Sequence, residues 1–223
     1  MLTNIAIMES SDDSSHLGTW TSEIALQQIT CRANPDHQRG GRRIGLLSVD
    51  IPQTALSAEF VWTWQSDCLI RQDALDRLRT DRATGFETRP VRLIVNGVSI
   101  QHDYQEFVVT GWGGVARSDS GVKILESCSE CGYLHYNGVT DWLKVFDPSQ
   151  WDGADFFMVW PLPRFIFVSE KVTRLFGKIG FGGARLIPIE DLKIDSSGLS
   201  PGRVSYWLPD RRIEQLSIES SIL

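Results

Sequence analysis

Long apolar runs are missing from this chain. No uninterrupted stretch approaches the roughly 20 apolar residues that cross a bilayer as a helix, so membrane insertion is not expected. The opening MLTNIAIMESSDDSSHLG also lacks the basic start, long apolar centre and small-residue cleavage pattern of a secretory leader, which makes a cytoplasmic location the expectation. Positive charge is scarce as well: 22 Lys and Arg stand against 28 Asp and Glu, a formal net charge of -6. The basic residues form only short local groups such as Arg39, Arg42 and Arg43. A nucleic-acid binder needs a concentrated positive surface to neutralise phosphates, so direct binding is disfavoured and an acidic chain better suits a basic partner protein. Cysteine is limited to Cys31, Cys68, Cys128 and Cys131 in 223 residues. Without an export signal, these read as thiols or metal ligands and not as a disulfide scaffold.

Signatures of catalysis are equally thin. No serine or cysteine sits in a nucleophile context such as GxSxG. His16, His37, His102 and His135 are scattered without a metal-ligand pattern, and Asp152 and Asp155 in WDGAD read as a solvated turn ahead of a strand. The glycines of GFGG, Gly180 to Gly183, follow a helical segment and do not precede one, which suits a C-terminal cap and not a phosphate cradle. The expectation is a protein that is not an enzyme, with no catalytic residue to assign.

What the chain does have is enough apolar content, 42%, for one sizeable core or two small modules packed together. Residues 1 to 45 are polar and glycine-rich, so irregular structure with one or two short strands is expected there. FVWTW from Phe60 alternates as a strand does, placing Trp62 and Trp64 on one face; Ala74, Leu75 and Leu78 then repeat at helical spacing. EFVVTGWG reads as a strand ending in a tight bend. In the second half, RFIFVSEKVTRLFGKIGFGGARLIP carries Val172, Leu175, Phe176 and Ile179 on one helical face before another strand. LIRQDALDRL and IFVSEKVTRL look alike, and Gly85 precedes Pro90 by the same interval as Gly183 precedes Pro188. The fold class expected is α/β (α+β), a mixed or antiparallel sheet with packed amphipathic helices. Two related strand–helix–strand modules are expected around a knuckle-like turn. They are a module at 1–110 with its unit at about 60–96 and a module at 111–223 with its unit at about 155–190, packed as one compact body.

The segment with specific chemistry is CSECG, Cys128 to Gly132. Two thiols spaced by two residues can hold one side of a tetrahedral zinc, and glycine eases the turn. One knuckle supplies half a ligand set; Cys31 and Cys68 are candidates to complete it, with His16 or His135 able to substitute. Three readings compete: one structural zinc, a metal-free buried thiol pair, and a redox dithiol. The last expects a helix start with a depressed thiol pKa, whereas SCSECGYLHYNG resembles a turn between strands. The eight tryptophans are expected mainly to fill the core or cover the knuckle, with some free to anchor a protein interface.

Taken with WDGADFF and FVSEKVTRLFGKIGFGGARLIPI, this knuckle resembles the bacterial double-CXXCG family of immunity proteins. These are antidotes to polymorphic toxins used in contact-dependent competition. The middle piece CLIRQDALDRLRTDRATGF and the ending FVSEKVTRLFGKIGFGGARLIP fit the family order, and Cys128, Cys131 and Gly132 stand for its second CxxCG. Its first CxxCG is absent: SSHLGTW stands where it is expected, with only Gly18 and Trp20 reminiscent of it. The likeness runs from roughly residue 15 to residue 190, and outside the knuckle its motifs are degenerate. The resemblance implies a non-catalytic protein that neutralises a cognate toxin by direct occlusion, the toxin being a basic nuclease domain where charge decides. A zinc held jointly by both knuckles would leave His16 as a single replacement here. The alternatives are a small zinc-dependent hydrolase and a zinc-knuckle adaptor or regulator. Partner-binding residues are not legible.

Overall fold

The computed structural model describes residues 4–11, 17–37, 39–193 and 198–215. Its architecture is mixed α/β, with several mixed or antiparallel sheets and a few helices. Two strand–helix–strand units built by the same devices organise it. In the first, strands Phe60–Trp62 and Cys68–Arg71 lead into helix α1, Gln72–Thr80, and then strand Phe86–Arg89. Strand Tyr104–Val109 lies between Cys68–Arg71 and Phe86–Arg89, antiparallel to both, with Phe107 opposite Cys68 on one side and Thr88 on the other. Helix α1 forms because Ala74, Leu75 and Leu78 make one buried stripe and Asp73 places negative charge at its N-terminal turn.

The second unit repeats the path: strands Phe156–Trp160 and Ile166–Val168, helix α2, Glu170–Ile179, and strand Ala184–Pro188. Here too a third strand lies in the middle, antiparallel to both neighbours, but it is Ala6–Ser10. The middle strand of one unit therefore follows its helix in sequence, and that of the other comes far ahead of it. A segment within the module drawn at 1–110 thus sits inside the sheet of the second unit. Strand Gly111–Val115 extends this sheet in parallel beside Phe156–Trp160, so GWGG is strand and not a bend.

Ala6–Ser10 corrects the expectation of a largely irregular start. Ile5 and Ile7 enter one core cluster with Phe157, Val159 and Phe167, while Ala6 and Met8 enter another with Phe60, Phe107, Phe156 and Phe176. A strand buried on both faces is a short continuous apolar run, and lacks the alternation that reveals a half-buried one. Trp62 and Trp64 also part company. The strand ends at Trp62, which is buried; the chain turns at Thr63–Ser66 and Trp64 is exposed.

The units grip each other reciprocally. Phe156 N donates to Thr84 O and Phe60 N donates to Gly182 O, each at 3.0 Å. Gly85 and Gly183, both at positive φ, press against the carbonyls of Phe156 and Phe60. Acidic residues close each junction: Glu59 accepts from the Gly182 amide and from Arg77, and Asp155 accepts from the Thr84 amide, Ser169 Oγ and Lys171 Nζ. Asp155 is thus a buried tie and not a solvated turn residue. Asp152 is a second tie at an exposed position, accepting from the Trp112 and Ala154 amides and from Arg212. Burial works against the Asp155 charge, but the bonds from Lys171, Ser169 and Thr84 outweigh it and hold the carboxyl below the usual range. Its contribution is present above the unfolded carboxylate pKa, near 4, and lost as pH falls through the lower folded value. Asp155→Asn should therefore cost about 1–3 kcal/mol at neutral pH and flatten the acid limb of stability below about pH 4, which urea titrations at stepped pH would show.

A third sheet, in the order Val98–Ser99, Val91–Val95, Leu47–Asp50 and Thr19–Trp20, covers a further core cluster around Leu47, Val49, Leu69 and Leu93. Two hairpins project beyond the sheets: Ala25–Ile29 with Arg39–Ile44, and Ile124–Cys128 with Tyr133–Tyr136. A last short helix, α3, spans Asp210–Gln215. Among the described residues, no helix is long and apolar enough to cross a membrane.

Candidate metal centre

The two projecting hairpins meet through four side chains. Cys128 ends strand Ile124–Cys128 and Cys131 lies in the following turn, where Gly132 at φ 67° donates its amide to Cys128 O at 2.8 Å. That conformation is open to glycine with little strain, and it folds both knuckle thiols back toward the other hairpin. From that hairpin comes the loop Cys31–Asn34 and the single 3-10 turn Pro35–His37, nucleated by Asn34, whose side chain accepts from the Asp36 amide at 3.0 Å. Asparagine ahead of proline is turn chemistry, and it sets His37 beside Cys31.

The Sγ atoms of Cys31, Cys128 and Cys131 and a ring nitrogen of His37 all lie within 4.8 Å of one another. Cys31 Sγ is 3.6 Å from Cys128 Sγ, and Cys131 Sγ is 3.6 Å from His37 Nδ1. A tetrahedral zinc with sulfur ligands at about 2.3 Å spaces those sulfurs at about 3.8 Å, so the donors stand close to ligating distance. His37 Nε2, the nitrogen turned away from the thiols, is 3.0 Å from Glu126 Oε1, and the ring stacks on Tyr133 at 4.3 Å. A carboxylate on the outer nitrogen fixes the tautomer that leaves Nδ1 for a metal. The three thiols and one imidazole thus have the chemistry and geometry of one structural zinc site of Cys3His type.

The electrostatics favour ionisation of one thiol, Cys128, and oppose it at Cys131. The Cys131 backbone amide, with His37 and Cys31, pulls the Cys128 thiol down to about 6, while burial pushes Cys131 up. His37 rises to about 9, chiefly through Cys31, with its burial opposing and Glu126 adding. Those directions belong to a cluster that shares protons among its sulfurs and imidazole; a divalent cation displaces them, since thiolate and neutral imidazole are the ligating forms.

Of the ligands expected from sequence, Cys31, Cys128 and Cys131 come together. Cys68 does not: it lies on a central strand facing Phe107, fully buried, and desolvation pushes its thiol well up. His135 does not either; its Nδ1 is 3.0 Å from Ser200 Oγ. His16 lies outside the described residues. The missed ligand is His37, and the signal for it was local: Cys31 and His37 bracket an Asn-Pro-Asp turn, a second knuckle with longer spacing and one imidazole. Of SSHLGTW, Gly18 donates to Trp62 O and Trp20 belongs to the third sheet.

A metal held by all four donors would keep no coordination position for water. The inner face of the knuckle hairpin is covered as expected of the tryptophans: Leu134 and Tyr136 pack with Trp112 and Trp160, and Trp160 Nε1 donates to Tyr136 Oη at 3.0 Å. Compared with family models and with curated proteins, the chain matches none.

Proposed function

We propose that this chain is a zinc-clamped adaptor that acts by binding another protein and not by catalysis. The observation that carries the reading is the closed Cys31–His37–Cys128–Cys131 donor set, which joins two hairpins presenting Leu26, Ile44, Ile124 and Leu125 to solvent. A metal placed between exposed hairpins fixes the shape of a surface, and exposed apolar side chains on a fixed surface are what a protein partner needs. A zinc-dependent hydrolase would need an open ligand position with an acid or base beside it. Asp152 and Asp155, the acids considered for that role, are engaged elsewhere as structural ties.

Immunity against a toxin is the form of this activity that the resemblance to the double-CXXCG proteins implies. It gains support from the metal centre, since Cys31 and His37 supply the second pair of donors that the first CxxCG would have given. The two strand–helix–strand units, with Gly85 and Gly183 in equivalent junctions, fit a duplicated ancestor within this reading.

The test is a purification of tagged protein from its native cell, with zinc counted per chain and the cobalt(II)-substituted form examined by absorption. The adaptor reading expects one zinc per chain, the intense visible bands of four-coordinate cobalt, and a partner protein at equal stoichiometry. The adjacently encoded protein as that partner would specify immunity. Weak five-coordinate cobalt bands that respond to added anions would instead indicate an open, hydrolase-like site.

A further inference from the structure

Three of the four cysteines, Cys31, Cys128 and Cys131, meet at the metal centre, and Cys68 lies apart from them, fully buried opposite Phe107. Oxidation at the centre therefore has thiols for one disulfide and leaves one over. The bond can close inside the knuckle, between Cys128 and Cys131, or across the two hairpins, from Cys31 to either of them. The consequences differ. Each takes two donors from the metal, but a bond inside the knuckle lets the hairpins part, whereas a bond across keeps them tied.

Exposure and contacts choose among these pairings. Cys128 is half-buried, while Cys31 and Cys131 are 4% and 7% exposed, so an oxidant arriving from solvent meets Cys128 first. Cys31 Sγ stands 3.6 Å from Cys128 Sγ. A disulfide holds its sulfurs at about 2.0 Å, so bonding asks for a closure of about 1.6 Å. Cys131 Sγ is instead placed against His37 Nδ1, and the Gly132 amide, bonded to Cys128 O at 2.8 Å, holds the knuckle turn in its ligand-presenting shape. A further contact crosses the gap between the hairpins, His37 Nε2 to Glu126 Oε1 at 3.0 Å, and seats the Cys31 loop on strand Ile124–Cys128 with no metal needed.

We infer that Cys128 and Cys31 form a redox pair, through which a hydroperoxide replaces the zinc clamp by a disulfide across the same two hairpins. The inference rests on the reading of this centre as a zinc clamp and adds its regulation. The Cys128 thiolate attacks a peroxide oxygen: an S–O bond forms, the O–O bond breaks, and the leaving hydroxide or alkoxide takes a proton from solvent. The Cys31 thiolate then attacks the Cys128 sulfenic acid. The S–S bond forms, the S–O bond breaks, and hydroxide leaves to become water. Two electrons pass from the two sulfurs to the peroxide. Zinc keeps only Cys131 and His37 and is released, since the thiolate and not a disulfide sulfur is its ligand. The reacting pair is thus not the CxxC of the knuckle but one that spans 97 positions.

The test treats zinc-loaded protein with hydrogen peroxide and follows zinc release with a chromogenic chelator. One zinc should leave per disulfide formed. Trypsin with a glutamyl endopeptidase, which cuts after Glu126 and Glu130, parts Cys128 from Cys131, so a non-reducing peptide map identifies the bond. Cys31–Cys128 is expected in at least tenfold excess over the other pairings, and dithiothreitol with zinc should restore the starting state. The oxidised, zinc-free protein should melt above the reduced, chelated one. Cys31→Ser should lose that difference and Cys131→Ser, which keeps both members of the pair, should retain it. The wild-type map stands even if a variant fails to fold. The proposal falls if the bond maps to Cys128–Cys131 or Cys31–Cys131, if Cys128 passes to sulfinic acid without a disulfide, or if zinc stays bound under a large excess of peroxide. Protein that purifies without zinc and takes up none would remove the clamp reading, and the same map on the reduced, metal-free chain would still decide the pair.

Discussion

Stripping the metal with a chelator should lower the melting temperature by about 8–16 °C, and Cys131→Ser should reproduce the loss without chelator. A ligand present at a thousand times its dissociation constant adds about 4 kcal/mol to the folded state. For a protein of this size, each kcal/mol corresponds to about 2–4 °C. The effect reaches beyond the hairpins because Leu134 and Tyr136 of the knuckle strand share a cluster with Trp160 and Met158 of the second unit. Hydrogen exchange should quicken first at the amides of Tyr133–Tyr136 and of Arg39–Ile44. Cys68→Ser is the contrasting variant: it should lose packing but keep one zinc per chain. If Cys131→Ser retained stoichiometric zinc, or if chelation moved the melting temperature by less than 2 °C, the assigned ligand set would fall. Wild type and Cys131→Ser should melt together once both are metal-free, which separates the loss of metal from any effect of the serine itself.

Gly85→Ala and Gly183→Ala should each destabilise by about 2–5 kcal/mol, combining about 1–2 for a side chain at positive φ with about 1–3 for overpacking. The φ values are 86° and 83°, and a Cβ at either site would overlap a backbone carbonyl of the opposite unit, Phe156 O or Phe60 O. Backbone cannot swing aside as a side-chain tip can. The control is Gly97→Ala, also at positive φ, where a Cβ meets nothing within 4 Å. It should cost only the conformational part. Urea denaturation of the three variants separates the two terms; equal losses at all three would mean that the units do not meet through these glycines as described.

Legibility of the fold from sequence followed how local its causes are. Helices α1 and α2 were visible because their buried stripes, Ala74–Leu75–Leu78 and Val172–Leu175–Phe176, lie within one turn or two. Gly180 was readable as the end of α2 for the same reason, and its amide does bond to Phe176 O. The central strand Ala6–Ser10 was hidden because both its strand neighbours, Ile166–Val168 and Ala184–Pro188, lie more than a hundred positions away. At the metal centre, the Cys128–Cys131 half was legible as a spaced pair. The other half was harder, since Cys31 meets Cys128 across 97 positions and its one local mark, the Asn-Pro-Asp turn leading to His37, has a longer spacing than a CxxC pair. The strand direction excludes Cys68: it points into a core of phenylalanines, and a thiol there has no route to the knuckle.

The position of Ala6–Ser10 sets a schedule for synthesis. Ile7 pairs with Phe167 and with Ile187, so this strand leaves the ribosome with neither neighbour yet made. At about 5–20 residues per second, the wait for Ile187, 180 positions later, is about 9–36 s. Throughout it, Ile5, Ile7 and Met8 form an apolar strand with two open edges, a template for pairing with another nascent copy. The first unit, whose strands all lie between Phe60 and Val109, closes well before. Early chaperone engagement at the N-terminal segment, released only once residues near 190 emerge, is the burden this strand order places on the cell.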